Sequence, residues 1–446
     1  MTVRPTTRPV TRRGLRASAA VAVVSAVNGL SRTLGRGSGT VAGGRAGLAL
    51  DPSLLGTLAA GRTVALVSGT NGKTTTTRLL ATALATDGGD RVVSNETGAN
   101  MPAGHVAALA GAPDAPVAVL EVDEGYLGRL VADAQPLVVV LLNLSRDQLD
   151  RIAEVRMLVD RWRAALSGLR VPGPDGPGTV VVANADDPMV AFAAGTAPEV
   201  RWVGAGQVWH DDAVGCPACG GRITFAADGG WGCDRCDFCR PAVDADVVGD
   251  ELVLADGTRH PIRISLPGEF NRANAGMVAI AAVPLLEATG ARSGDGGPPT
   301  VDLVLGRLGS VTEVAGRFST VDRGGRPVRL LLAKNPAGWT AIFDLMDETG
   351  TDGAPVVLSV NARIADGLDT SWLWDVPFER LAGRRVVATG DRRLDLAVRL
   401  RYAEVAHDVV DGPLAALDHA LGRAAPGSPA EFLGNYTAFA DLRRVL

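Results

Sequence analysis

The stretch SGTNGKTTTT, residues 68–77, decides the fold of this chain. It follows TVALVSG at residues 63–69, whose apolar and β-branched content predicts a buried strand, and it continues into a segment with the apolar pattern of a helix. The common phosphate-binding loop reads G-x-x-x-x-G-K-[ST]. Here Val67 occupies the position of its first glycine, and the glycine stands two residues later, at Gly69. Strand, glycine-rich loop and helix in this order predict a site for nucleotide phosphates, in a shortened form of that loop.

The residue types in this loop suit a nucleotide. Gly69 and Gly72 let the backbone turn tightly and direct N–H groups at phosphate oxygens. Lys73 adds a positive charge near the β- and γ-phosphates, and a following threonine hydroxyl can bind Mg²⁺. The alternative is a glycine-rich turn with a surface lysine. The residues that we expect to contact the nucleotide are Gly69, Thr70, Asn71, Gly72, Lys73, Thr74 and Thr75.

Further apolar runs predict a parallel sheet around this loop. Runs that are apolar on both faces are typical of parallel strands covered by helices. They are PVAVLEVD at 116–123, PLVVVLLN at 136–143 and TVVVANADD at 179–187. We therefore predict a doubly wound α/β domain over residues 56–300, a Gly/Pro-rich linker at 289–300 and a C-terminal α/β domain at 315–446.

Polar side chains stand where these strands end. Glu121 closes one run, and Asn143 and Asn184 follow two others. Ligands of open α/β sheets bind outside the carboxyl ends of the strands, so Glu121 is a candidate Mg²⁺ ligand. Asp123 and Glu124 could be surface charges, and each asparagine could equally belong to a turn or a helix cap.

All five cysteines lie within a short segment, which predicts a zinc ribbon inserted at 214–241. Cys216 and Cys219 form one C-x-x-C pair, and Cys233 and Cys236 form the next. Four thiolates on two tight turns suit tetrahedral Zn²⁺ in a closed structural site, with Cys239 as an alternative to Cys236. The other interpretation is disulfides. Because no cysteine remains elsewhere, we expect that the chain cannot carry out cysteine-dependent chemistry such as glutamine hydrolysis by itself.

Composition excludes some classes of function. The formal net charge of −5 over 446 residues gives no global signal for nucleic acid or an acidic membrane surface. Residues 1–16 carry five arginines and precede the apolar ASAAVAVVSAV, which resembles a signal peptide. Because that apolar run is short and weak, we predict a basic amphipathic helix within a lead-in segment at 1–55. No stretch approaches the roughly 20 apolar residues of a spanning helix.

Several motifs in order carry a resemblance to a known family. They are GTNGKTT, a strand ending in Glu, N-x-x-x-D-x-L-D, N-A-D-D, the GEFNRANAG helix start and G-R-F. Over residues 56–320 this set resembles the Mur ligase superfamily, whose phosphate loop has the same short form. These enzymes use ATP to phosphorylate a carboxylate, and an amine then attacks the acyl phosphate.

The resemblance implies a role for individual residues. Lys73 and Thr74 would bind the ATP phosphates, and Glu121, with Thr74, would bind Mg²⁺. Asn271 would reach the adenine, and Arg317 would lie on the nucleotide side of the C-terminal domain. Gln148 replaces a histidine of the family motif, which puts any metal role of that position in doubt.

A finer resemblance is to the MurT family, the synthetase subunits of lipid II isoglutaminyl synthases. The cysteine ribbon, the GSGTVAGGRAGLAL segment, LLAKNPAGW and ADGLDTSWLWDVPFE carry it. It implies amidation of the D-glutamate α-carboxyl in the lipid II stem peptide, with ammonia from a GatD-like glutaminase in a heterodimer. It also implies that an aspartate completes the partner's Cys-His site, for which Asp366 is the first candidate and Asp369 the second.

This reading implies a cytoplasmic enzyme that meets lipid II at the inner face of the membrane, with at most peripheral contact through the basic N-terminal segment. Two other functions fit the same residues. One is an amino-acid-adding Mur or folylpolyglutamate-type ligase. The other is a non-catalytic, nucleotide-binding zinc-ribbon regulator.

Overall fold

The computed structural model describes most of the chain: residues 14–33, 40–85, 92–95, 98–146, 155–174, 176–207, 209–293, 296–312, 318–350, 353–425 and 428–446. Three predictions concern residues outside these ranges. They are the role of Arg317, the replacement at Gln148 and the arginines that precede residue 14.

The described residues form seventeen strands and fourteen α-helices. The strands are β1 (Thr63–Ser68), β2 (Val92–Ser94), β3 (Val117–Val122), β4 (Val138–Leu141), β5 (Val180–Asn184), β6 (Val200–Gly204), β7 (Ile223–Phe225), β8 (Trp231–Cys233), β9 (Ala245–Val248), β10 (Glu251–Leu254), β11 (Arg259–Pro261), β12 (Phe318–Asp322), β13 (Pro327–Leu332), β14 (Val356–Ser359), β15 (Val386–Thr389), β16 (His407–Val409) and β17 (Ala430–Gly434). The helices are α1 (Leu15–Thr33), α2 (Thr40–Leu50), α3 (Leu54–Ala59), α4 (Lys73–Leu84), α5 (Pro102–Gly111), α6 (Leu127–Ala134), α7 (Val155–Ser167), α8 (Pro188–Ala194), α9 (Glu269–Thr289), α10 (Val301–Leu308), α11 (Pro336–Glu348), α12 (Arg393–Tyr402), α13 (Pro413–Gly422) and α14 (Tyr436–Val445).

The central sheet has the order β11-β10-β9-β6-β5-β4-β1-β3-β2. The strands from β9 to β2 pair in parallel, and β10 and β11 add an antiparallel edge. One face packs against α1, α3 and α5–α8, and the other packs against α4, α9 and α10. The predicted doubly wound α/β domain is therefore confirmed, and its strands are apolar because both faces are covered.

The C-terminal sheet has the order β12-β13-β17-β14-β15-β16, in which only β12 runs antiparallel to its neighbour. Helices α11 and α12 pack on one face, and α13 and α14 pack on the other.

The central unit extends past the predicted boundary at residue 300. Val304, Leu305 and Leu308 of α10 are buried in the same apolar cluster as α4 and α9.

The N-terminal segment forms two helices that pack on the central unit. Ala17, Ala20 and Val24 of α1 are buried against it, whereas Leu15 and Leu30 are exposed. The spacing of three and four between these buried residues places them on one face of α1. Among the described residues, no helix is long and apolar enough to cross a membrane.

Candidate active site

The phosphate loop needs glycine at two positions. Gly72 stands just before α4 with a φ of 86°, in the left-handed region that disfavours other residues. A Cβ at Gly69 would lie 2.9 Å from the Cβ of Leu142, closer than such atoms approach. The loop therefore packs tightly against the end of β4, and α4 begins directly behind it.

Lys73 is a buried lysine, not the surface residue of the alternative interpretation. Its side chain is 3% exposed, and its Nζ donates to the Gly69 carbonyl at 2.5 Å and the Thr70 carbonyl at 3.3 Å. The third contact is an ion pair of 3.1 Å with the carboxylate of Glu124. Because the side chain curls back over its own loop, the positive charge lies where phosphate oxygens would enter.

The loop is fixed to the neighbouring strand end by side-chain hydrogen bonds. The Thr70 hydroxyl donates to the Ser145 carbonyl at 3.1 Å and accepts from the Ser145 N–H at 3.0 Å. The Asn143 amide exchanges bonds of 2.8 and 3.1 Å with the backbone of Asn71. Asn143, one of the strand-end asparagines, thus holds the loop in shape.

Glu121 and Thr74 lie together beside this loop. The Thr74 hydroxyl donates to the Glu121 carboxylate at 2.8 Å, and the Asn100 amide donates to its other oxygen at 3.3 Å. Glu121 is 2% exposed and pairs in register with Val67, which brings it level with the start of the loop. A carboxylate and a hydroxyl next to a phosphate site are ligands that Mg²⁺ accepts in proteins, so the residues present fit this ion.

Two residues that the sequence interpretation missed hold the backbone of Glu121. Asn95 exchanges bonds of 2.8 Å with its N–H and its carbonyl. His105 Nε2 lies 2.7 Å from the same carbonyl, and burial lowers the pKa of His105, so the neutral ring donates this bond. The position of Asn95 directly after β2 is the signal that could have identified it.

A cavity of about 320 Å³ opens beside the phosphate loop, between the central and C-terminal units. Asn71, Gly72 and Thr75 line its end at the loop. Asn271 and Asn274 of α9 line it further along. Other lining residues are Asn184, Ala205, Gly206, Gln207, Trp209 and Ile342. One continuous cleft thus joins the phosphate loop to a mostly apolar cavity with a few amides, which is the form of a site for a nucleotide and its base.

Helix α11 closes the cleft from the C-terminal side. The side-chain amides of Asn71 and Asn335 pair at 3.2 and 3.3 Å, and Asn335 also caps α11 through the Gly338 N–H at 2.9 Å. Asn335 belongs to the LLAKNPAGW stretch. The phosphate loop and the C-terminal unit are therefore in direct contact.

The cysteine segment forms a hairpin of β7 and β8 with two knuckles. The sulfurs of Cys216, Cys219, Cys233 and Cys236 all lie within 4.8 Å of one another, and none of them forms a disulfide. The Cys219 and Cys233 sulfurs are 3.5 Å apart, and the Cys216 and Cys236 sulfurs are 3.8 Å apart. These distances are close to the edge of about 3.8 Å for a tetrahedron with Zn–S bonds of about 2.3 Å. Cys239 is exposed and lies outside this group. The four sulfurs fit a structural Zn²⁺, and the Gly221 N–H lowers the pKa of the Cys219 thiol to about 7.

Replacing Cys216, the buried member of the group, tests this metal site. We expect Cys216→Ser to lose bound zinc and to lower the unfolding midpoint by roughly 4–8 °C, equivalent to about 2 kcal/mol, because the knuckles lose their cross-link. Zinc content by elemental analysis and a thermal melt measure the two effects. Cys239→Ser is the matched control and should change neither; a zinc content that follows Cys239 instead would contradict the four-cysteine assignment.

The two candidate aspartates of the C-terminal unit differ in exposure. Asp366 is 4% exposed, and its carboxylate accepts bonds from the Thr437 N–H at 2.8 Å and from the Thr437 hydroxyl. It therefore caps the start of α14. Asp369 is exposed and accepts a bond of 2.8 Å from the Ser371 N–H, which lowers the pKa of its carboxyl group. Both lie in the ADGLD turn after β14.

The family models that match this chain are those of Mur ligase domains. The model of the Mur ligase middle domain matches residues 67–211, and that of the MurT ligase C-terminal domain matches residues 332–439. The chain is 32% identical over 406 residues to subunit MurT of the glutamine-hydrolysing lipid II isoglutaminyl synthase of Streptococcus pneumoniae, which covers 83% of each chain. It is 29% identical over 365 residues to the same subunit of Staphylococcus aureus, covering 77% of this chain and 78% of the relative. The chain belongs to the MurT family.

Solved structures agree with this fold. A pseudomurein peptide ligase type C from Methanothermus fervidus superposes with a TM-score of 0.62 at 20% identity, covering 86% of this chain and 79% of that one. The ADP complex of Mycobacterium tuberculosis folylpolyglutamate synthase superposes with a TM-score of 0.59 at 18% identity, covering 96% of this chain and 98% of that one. At these identities the likeness concerns the fold alone.

Proposed function

We propose that this chain is the synthetase subunit of a lipid II isoglutaminyl synthase, which amidates the α-carboxyl of D-glutamate in the stem peptide. The 32% identity to subunit MurT of Streptococcus pneumoniae over most of both chains carries the proposal. The cleft supports it, because a buried lysine, a carboxylate and a threonine hydroxyl converge on one loop.

The reaction has two chemical steps. A carboxylate oxygen of D-glutamate attacks the γ-phosphorus of ATP, the bond to the β-phosphate oxygen breaks, and ADP leaves. Ammonia then attacks the carbonyl carbon of the acyl phosphate, the bond from that carbon to the phosphate oxygen breaks, and the proton lost by nitrogen is taken up by the departing phosphate. The product is D-isoglutamine.

The chain's own residues position these steps. Lys73 exchanges its contact with Glu124 for phosphate oxygens and neutralises their charge. Glu121 and Thr74 would hold Mg²⁺, which draws charge from the phosphates when bound. Asn271 lines the cavity, where it would contact the adenine. Arg317, which lies outside the described residues, would contact the nucleotide from the C-terminal domain by resemblance to the family alone.

Ammonia would come from a GatD-like glutaminase bound to the C-terminal unit as a heterodimer. The chain's five cysteines all lie in the ribbon segment, and none of them lines the cavity. Ile364, Leu368 and Trp374 are exposed around the ADGLD turn, at 84%, 63% and 53%. Exposed apolar side chains grouped beside a candidate aspartate favour a protein partner there. Asp366, or secondly Asp369, would support the partner's catalytic histidine.

The substrate suggests where the enzyme works. We propose a cytoplasmic protein that reaches lipid II at the inner face of the membrane. Peripheral contact through the arginine-rich residues 1–16 would assist it. A deletion of these residues that left membrane association unchanged would contradict this contact.

A product assay tests the proposed function directly. The chain alone is incubated with lipid II, ATP, Mg²⁺ and a high concentration of ammonium, and the lipid is analysed by mass spectrometry. Free ammonia replaces the glutaminase, so we expect one carboxyl converted to an amide, with ADP formed in equal amount. ADP formation that requires a free amino acid would instead establish the amino-acid-adding ligase. Absence of ADP, also with a glutaminase present, would favour the regulator.

A further inference from the structure

We propose that the zinc ribbon, residues 214–241, positions the base end of the nucleotide cleft, with Arg240 and Asp186 as the positioning residues. The ribbon would thus set the affinity for the nucleotide base without acting on the phosphates. This inference rests on the proposed function, since it takes the cavity to hold the base of ATP.

The segment directly after β6 forms the wall of the cavity that the ribbon contacts. Ala205, Gly206, Gln207 and Trp209 line the cavity from this segment, together with Asn184 at the end of β5. The residues of this segment follow the end of β6, so no strand pairing holds them, and their position depends on individual contacts of the loop. The ribbon contacts it at two places.

The first contact is an ion pair behind Gly206. The Arg240 Nε donates to one oxygen of the Asp186 carboxylate at 2.5 Å, and the other oxygen accepts the Gly206 N–H at 2.7 Å. The Asn184 amide donates to the Gly206 carbonyl at 3.1 Å. Both backbone groups of Gly206 are therefore fixed, one of them through a carboxylate that Arg240 orients. The guanidinium lies so close to Gly204 that a Cβ there would stand 2.5 Å from its Nη2.

The second contact lies beyond Trp209. The Phe225 ring of β7 stacks on His210, with 3.8 Å between the ring centroids and 1° between the planes. The Trp209 indole N–H donates to Asp212 at 2.7 Å. The ribbon thus fixes His210, which directly follows the cavity-lining Trp209. This contact is at the end of the segment away from Gly206.

The ribbon is also attached to the residue that directly follows β5. The indole N–H of Trp231 donates to the Ala185 carbonyl at 2.9 Å, and Phe238 packs edge-on against Phe192 of α8. Ala185 stands between Asn184 and Asp186. The contacts of the ribbon with Asp186, His210 and Ala185 therefore flank the loop that lines the base side of the cleft.

The phosphate end is built from other parts of the chain. Lys73, Thr74 and Glu121 belong to α4 and β3, and their hydrogen bonds described above involve no residue of the ribbon. Loosening the ribbon contact should therefore weaken binding of the base and spare the phosphates. A ribbon that merely stabilises the fold would affect both ends equally.

Two ligands separate these possibilities. The full-length protein is titrated by calorimetry with Mg·ADP and, separately, with Mg·tripolyphosphate, which has no base. We expect Arg240→Ala to weaken ADP binding about tenfold, or about 1.4 kcal/mol, with the affinity for tripolyphosphate unchanged within about twofold. Arg240→Lys should recover part of the loss because it restores a charge next to Asp186. Arg222→Ala, at an exposed ribbon arginine, is the matched control and should bind both ligands like the wild type.

Phe225→Leu tests the second contact if Arg240→Ala does not fold, and it should show the same selective loss of ADP affinity. Equal losses for both ligands, or wild-type affinities in Arg240→Ala and Phe225→Leu, would overturn the inference. A wild-type protein that binds tripolyphosphate but not ADP, or neither, would instead overturn the nucleotide site of the proposed function.

Discussion

Replacing Lys73 by alanine is expected to lower the rate of ammonium-driven amidation by at least about 10³-fold, or about 4 kcal/mol of transition-state stabilisation. Phosphoryl transfer depends mainly on positioning and charge neutralisation, and Lys73 is a buried cation whose Nζ lies over the phosphate loop. The rate of ADP formation with lipid II, ammonium and Mg²⁺ measures the effect. An alanine variant with normal turnover would show that the phosphate-loop assignment is wrong.

The buried partner of Lys73 calls for a stability control. Glu124 is 8% exposed, so the alanine variant leaves a buried carboxylate without its 3.1 Å ion pair. Such a loss destabilises a protein by up to several kcal/mol. The double variant Lys73→Met/Glu124→Gln removes both charges and keeps similar volumes. We expect it to recover the unfolding midpoint without recovering turnover, which separates the loss of chemistry from loss of the fold.

Local sequence signals predicted the order of strand, glycine-rich loop and helix that the structure shows at residues 63–84. The strand, the glycine-rich loop and the helix are adjacent in the chain, and the position of Glu121 at a strand end follows from the same pattern. The four-cysteine group was predicted for the same reason, because each knuckle is a short C-x-x-C turn. In both cases the residues that act together are close in sequence or fixed by a regular element.

Contacts across large sequence separations could not be predicted in this way. Asn335 meets Asn71 across 264 positions, and Arg240 reaches Asp186 from an inserted ribbon. Glu124 was considered a possible surface charge, but a short 3₁₀ turn at Glu124–Tyr126 directs it at Lys73. The predicted domain boundary at residue 300 leaves out α10, which begins at Val301, because a Gly/Pro-rich segment does not say whether the next helix returns to the same core. These outcomes depend on tertiary packing, which periodicity and composition do not encode.

The burial of Asp366 adds a structural role to the one proposed for it. Its carboxylate caps α14 through Thr437, and loss of such a cap costs about 1 kcal/mol. Helix α14 in turn packs on β13 and β17 at the core of the C-terminal unit, where Phe439 and Leu442 are buried. A substitution at Asp366 therefore has a stability effect that must be measured separately from any effect on the partner.

Asp366→Asn is expected to lower glutamine-driven amidation by the complex with the glutaminase about 10²-fold or more, while ammonium-driven amidation stays within about twofold. An aspartate that orients and stabilises a catalytic imidazolium cannot be replaced by its amide without a large loss. Free ammonium bypasses that step, so an intact ammonium-driven rate shows that the C-terminal unit is folded and the cleft works. Asp369→Asn is the matched control, since Asp369 lies in the same turn and is exposed. If Asp369→Asn alone lost the glutamine-driven rate, the role would belong to Asp369; if both variants kept it, the partner would complete its site without this turn, and Asp366 would serve only as the cap of α14.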